Sequence, residues 1–283
     1  MVIFIGVISL GLIQRNLNLD NAGDGAASRV KAFNENITSQ EMADVIFGQN
    51  YDGQDFVNTM LEKQVKLITT RKSFFASLGV VKKHEAAIRS VAQAAGVPED
   101  VAIGVAFLEN GGSETAKSSA GAVGIYQIMP GTMTSLGYKT SDRNDPNINI
   151  EAGLKYLRKN YNLFDDWGLT VWSYHAGEGN VCRAIKIHAK TSGIELPGCF
   201  ENPQATRNYI NSADITVHKL LSNSSVQNQL TNRLNDDSAG YPYKVMATAY
   251  LFDLAKRLGP GDFAERVLLL NAQTITLAEF FQS

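Results

Sequence analysis

The run Val101-Ala-Ile-Gly-Val-Ala-Phe-Leu108 offers no polar face at all, and Glu109 closes it just ahead of Gly111 and Gly112. A helix apolar all round must be enclosed by other elements, so this segment reads as a buried helix. Pro98 suits the first turn of such a helix and the glycine pair stops it, so the carboxyl of Glu109 arrives at the end of a buried helix. Desolvation by Ile103, Phe107 and Leu108 raises a carboxyl pKa, and the partial negative charge of a helix C-terminus acts in the same direction. A carboxyl that keeps its proton near neutrality can protonate a difficult leaving group. Taken alone, a glutamate before a glycine stop is more often a solvated side chain, and the choice rests on what surrounds it in the chain.

With 283 residues, 44% of them hydrophobic and 19% charged, the chain can build a sizeable core. Its 26 basic and 28 acidic residues leave no basic footprint for nucleic acid or anionic lipid, so an uncharged or mixed-charge substrate is expected. Val2 to Ile13 form an apolar run shorter than the roughly 20 residues of a membrane span. It has the length of a signal-peptide core, with Ala22 and Ala26-Ala27 as places for cleavage, but no Lys or Arg precedes it. An uncleaved anchor giving membrane association, a first strand and a core helix remain alternatives, with export to the periplasm or cell envelope the expectation. Cys182 and Cys199 flank a loop-like stretch with Gly193, Pro197 and Gly198; they read as one disulfide in an exported protein or two separate thiols in a cytosolic one.

Helical periodicity dominates the rest, including Met42–Ile46, Phe56–Leu61, Glu85–Ala95, Thr132–Leu136, Asn149–Tyr161, Trp167–Ala176, Asn180–Ala189, Gln204–Leu221, Tyr243–Leu258 and Phe263–Phe281. Ile125 to Met129 suggests a brief strand, and 222–240 is polar enough to be a linker or surface excursion. The expected division is a signal or anchor segment with connector at 1–27, a helical extension at 28–78, a catalytic domain at 79–221, and a linker with a C-terminal helical segment at 222–283.

Several chemistries fall away. His84-Glu-Ala-Ala-Ile88 lacks the second histidine of a zinc-protease helix, Gly177-x-Gly179 lacks the third glycine of a dinucleotide loop, and Gly111-Gly-Ser-Glu-Thr115 is not a nucleophile elbow. What remains is Ser118, followed by Gly121-Ala122-Val123-Gly124-Ile125-Tyr126-Gln127-Ile128-Met129-Pro130-Gly131-Thr132. After it come Asp145-Pro146-Asn-Ile-Asn149, then Ser173-Tyr174-His175-Ala176-Gly177-Glu178-Gly179-Asn180-Val181, then Thr206-Arg207-x-Tyr209.

In register and in order, these motifs resemble the catalytic domain of lytic transglycosylases of the soluble lytic murein transglycosylase type, and more distantly goose-type lysozyme. The resemblance covers roughly Glu85 to Leu220. It implies a mainly α, lysozyme-like fold with a minor extended or β element, flanked by helical extensions. It also implies a glycan-strand substrate in peptidoglycan and no metal or organic cofactor. Glu109 would be the general acid and then the base; Ser118 and Gln127 would hydrogen-bond the sugar and its acetamido group, and Met129 would line the cleft. Tyr174 would direct its hydroxyl to the acid or the sugar, with His175 in an orienting or substrate-contacting place. Asn110 and His175 depart from the family pattern and would alter substrate fit. A hydrolytic muramidase, or a weakly active peptidoglycan-binding or secretion-apparatus component, are the rival readings.

Overall fold

The computed structural model describes residues 63–234, 237–275 and 280. The apolar run Val2–Ile13, and Met42–Ile46 and Phe56–Leu61 of the expected N-terminal extension, lie outside the described residues. Helical residues 63–69 lead into α1 (Phe74–Ala95) and α2 (Glu99–Glu109). After a long loop come α3 (Pro130–Ser135), α4 (Pro146–Phe164), α5 (Trp167–Ala176) and α6 (Glu178–Thr191). The chain ends in α7 (Pro203–Ser212), α8 (Val217–Ser222), α9 (Ser224–Gln229), α10 (Tyr241–Leu258) and α11 (Pro260–Asn271). No helix among the described residues is long and apolar enough to cross a membrane.

The helix boundaries follow local chemistry. Gly96 takes a left-handed φ of 65° and its N–H bonds back to Gln93, while Val97 N–H reaches Ala92 O at 2.9 Å, which ends α1. Asp145 caps α4 by accepting from Asn147 N and Ile148 N, and Asp166 caps α5 by accepting from Leu169 N. The helix expected over Gln204–Leu221 is two helices: Asp214 at φ 47° turns the chain between α7 and α8, so that Ile215 and Val217 enter the core.

α2 is the hub. Val101 to Phe107 are all buried, enclosed by α1 on one side and α10 on another. A Cβ on Gly104 would stand 2.5 Å from Val245 O, so only glycine lets the backbones of α2 and α10 come this close. Thr248 Oγ1 then donates to Gly104 O at 2.8 Å across that contact. Burying Val245, Met246, Leu251 and Phe252 of α10 contributes about 1.5–3 kcal/mol per side chain, which makes α10 part of the central core.

The C-terminal segment beyond residue 221 completes the enclosure of α2. The stretch 222–240, expected as a linker or surface excursion, contains α9, and Val226 and Leu230 within it are buried in the core. The expected strand at Ile125–Met129 reduces to a bridge in which Val123 and Ile128 exchange both backbone hydrogen bonds.

Candidate active site

Glu109 is the last residue of α2 and Tyr241 the first of α10, and the hydroxyl of Tyr241 donates to Glu109 Oε1 at 2.6 Å. Burial pushes the Glu109 carboxyl up to about 7, against the downward pull of the Tyr241 hydrogen bond and of the charges on Arg71 and Lys244. Tyr241 itself is held far into its neutral form by burial and by the adjacent carboxyl. His175 stacks on the Tyr241 ring at 4.7 Å between centroids, so the ring that bears on the acid is clamped from its face.

The corner after Glu109 is fixed from below. Asn110 is fully buried; its side-chain amide donates to Ala106 O and Ser77 O, and its Oδ1 accepts from Gly112 N at 2.7 Å. Asn110 therefore faces α1 and has a structural part, which corrects the expectation that it tunes substrate fit. Gly112 has φ 90°, and a Cβ there would meet Ala76 Cβ at 2.9 Å, so the turn packs directly on α1.

Ser118, Gln127 and Met129 lie on the loop from Gly111 to Met129. Ser118 Oγ accepts from Ala122 N at 3.0 Å, which leaves its own proton to donate outward. Gln127 Nε2 donates to Ala116 O and Gly124 O, both at 2.9 Å. What Gln127 retains for a ligand is its Oε1, an acceptor for an amide or hydroxyl hydrogen. These bonds also sustain a left-handed backbone at Gln127, φ 45°, a conformation that costs a non-glycine residue of order 1 kcal/mol. Met129 is 40% exposed where the loop enters α3.

Asn149 of α4 anchors this loop from its buried side. Its Oδ1 accepts from Tyr126 N at 2.8 Å, and its Nδ2 donates to Val123 O and Arg143 O at 2.9 and 3.0 Å. Gly124 presses against the Asn149 amide so closely that an added Cβ would be 2.3 Å from Nδ2. Tyr126 is buried beneath, its hydroxyl donating to Ala102 O of α2 at 2.9 Å.

The hydroxyl of Tyr174 donates to Tyr126 O at 2.6 Å and so holds the loop. It stays within electrostatic reach of Glu109, whose charge, together with burial, keeps the phenol neutral. The structure thus gathers Glu109, Tyr126, Tyr174 and Tyr241, with His175 behind Tyr241. Cys182 and Cys199 are joined in a disulfide with Cα atoms 5.8 Å apart, tying α6 to the segment before α7.

Residues 86–196 match the family described as Transglycosylase SLT domain. Over these residues the chain is a Transglycosylase SLT domain. The SLT domain is lysozyme-like, in keeping with the mainly helical architecture. It is 35% identical over 100 residues to the membrane-bound lytic murein transglycosylase D of Escherichia coli (strain K12), covering 34% of this chain and 22% of that protein. It is 36% identical over 74 residues to the transglycosylase of Enterobacteria phage PRD1, covering 26% and 27%. Against the soluble lytic murein transglycosylase of Escherichia coli (strain K12) it is 34% identical over 94 residues, covering 30% and 15%. The chain thus spans about a quarter or less of the length of these relatives. Tyr241, Lys244 and Arg71, all around Glu109, lie outside the SLT match. Sequence motifs passed over all three; the one signal for Tyr241 was Gly240-Tyr-Pro242, a helix start leading into an apolar segment.

Proposed function

We propose that this protein cleaves the β-1,4 bond between N-acetylmuramic acid and N-acetylglucosamine in peptidoglycan without water, leaving 1,6-anhydro-muramic ends. The observation that carries the reading is a partly buried, desolvated carboxyl with a pKa pushed up to about 7, seated on a tyrosine hydroxyl. Because Tyr241 occupies Oε1, the proton of neutral Glu109 resides on the other oxygen, free to move to the glycosidic oxygen as the C1–O bond breaks. The acetamido carbonyl of the same sugar shields C1. Glu109, now ionised and steadied by Tyr241, Arg71 and Lys244, takes the proton of the C6 hydroxyl while that oxygen bonds to C1.

Two features favour this route over one with a second carboxylate. The charges that bear on Glu109 are positive. Among the described residues the other carboxyl raised by burial, Asp100, pushed up to about 6, is at the opposite end of α2, about 13 Å away along the axis, beyond the roughly 5–9.5 Å that separates paired glycosidase carboxylates. Mass analysis of muropeptides released from purified murein tests the route: anhydro ends, one water lighter than reducing ends, are expected. Reducing ends alone would make the protein a muramidase, and wall binding without release would make it a binding component. The disulfide and the envelope-acting relatives support a place in the periplasm or cell envelope.

Since Glu109 must begin the cycle protonated, the rate is expected to fall as pH rises through about 7. Tyr241 favours the ionised form, so Tyr241→Phe raises the carboxyl pKa further. The alkaline limb of the pH–rate profile then moves to higher pH, while the maximal rate falls about tenfold from the less supported carboxylate. A purely structural role for Tyr241 would lower the rate and leave the limb in place.

A further inference from the structure

Arg71 approaches the acid from a part of the chain that precedes the SLT match. It sits in a hydrogen-bonded turn, its N–H bonded to Ile68 O at 3.1 Å and its carbonyl accepting from Phe74 N at 3.0 Å. Two further contacts hold this turn. Asn271 of α11 donates to Thr69 O at 3.2 Å, and the residues just after the turn, Ser73, Ala76 and Ser77, pack on Gly112 and Asn110 at the end of α2. The backbone of Arg71 is therefore fixed beside the Glu109 corner, while its side chain is exposed.

The charge balance at this corner is uneven. Lys244, one turn along α10 from Tyr241, is buried and ion-paired with Asp237. The carboxyl whose charge reaches Arg71 is Glu109, which is neutral when it is ready to act as an acid. In that state the guanidinium of Arg71, partly desolvated, has no charged carboxylate in Glu109 to balance it, and Lys244 adds like charge. An anion brought by a ligand would complete the set.

We propose that Arg71 binds a carboxylate carried on the O3 lactyl substituent of the muramic residue, so that the site selects anionic glycan strands over neutral β-1,4 chains of N-acetylglucosamine. This rests on the glycan reading above and deepens it. The same chemistry has two sources, the free lactyl carboxylate of a stripped strand or the carboxylates of an attached peptide stem.

Equilibrium binding to the full chain bearing Glu109→Gln, which removes turnover from the measurement, tests the idea with three probes. These are a peptide-bearing muramic tetrasaccharide, the same tetrasaccharide with its peptides removed by amidase, and neutral chitotetraose. Adding Arg71→Met is expected to weaken the peptide-bearing probe about tenfold and leave chitotetraose unchanged, with Arg71→Lys restoring most of the loss. An attached peptide turns the lactyl carboxyl into an amide, so weakening of the peptide-bearing probe alone makes the stem carboxylates the anchor, weakening of the stripped probe alone makes it the free lactyl carboxylate, and weakening of both means that Arg71 takes either. Equal weakening of all three probes, or of none, overturns the role of Arg71 and leaves the glycan reading intact. A protein that binds no probe even with Arg71 present overturns both.

Discussion

Glu109→Gln is expected to cut muropeptide release by roughly a hundred- to ten-thousandfold while the protein stays folded. The amide keeps the shape of the carboxyl and still offers an oxygen to the Tyr241 hydroxyl, so the junction of α2 and α10 survives. What disappears is the transferable proton and, later in the cycle, the carboxylate that would receive one. Turbidity clearing of murein suspensions measures the first effect and the thermal unfolding midpoint the second. A variant that clears murein within about tenfold of the wild-type rate would remove Glu109 from the chemistry. A variant that loses activity together with its fold would leave Glu109→Ala and Glu109→Asp to separate the two effects.

The second large effect concerns the loop. Asn149→Ala deprives Tyr126 N, Val123 O and Arg143 O of their buried partner and opens a void against Gly124. Val123 O keeps the Ile128 N–H, so the buried group left unsatisfied is Tyr126 N, at about 1–3 kcal/mol; with the void and the lost bond to Arg143 O the total loss expected is about 3 kcal/mol. For a chain of this size that lowers the thermal midpoint by roughly 6–12 °C. Activity falls with it, because the same backbone carries Gln127 and Met129. A midpoint shift of less than about 2 °C would mean that the loop is held by other contacts, foremost the Val123–Ile128 exchange and Tyr174.

Much of this site is legible in the sequence because its chemistry is local. The apolar run ahead of Glu109 implies a buried helix, and α2 is enclosed all round. Asp145-Pro146 reads as a cap and acts as one. The α5 boundaries, Trp167 to Ala176, are the expected ones, since Asp166 and Gly177 bracket an apolar segment. Less is legible where distant segments meet. Nothing within 79–221 says that the uncovered side of α2 awaits a helix from the far end of the chain, and the polar 222–240 stretch, rich in Asn and Ser, hides Val226 and Leu230 among solvent-facing neighbours. Asn110 reads as a substrate-facing substitution because it follows the acid, yet helical geometry turns it toward Ser77. The hydroxyl of Tyr174 is drawn to a backbone carbonyl, and no spacing rule reports which of two acceptors a phenol will choose.

The bond from Tyr241 to Glu109 spans 132 positions of sequence. A ribosome therefore releases the acid long before the residue that seats it, and the intervening helices must find their places before the two can meet. A nascent or prematurely ended chain thus carries Glu109 with no phenol to hold it.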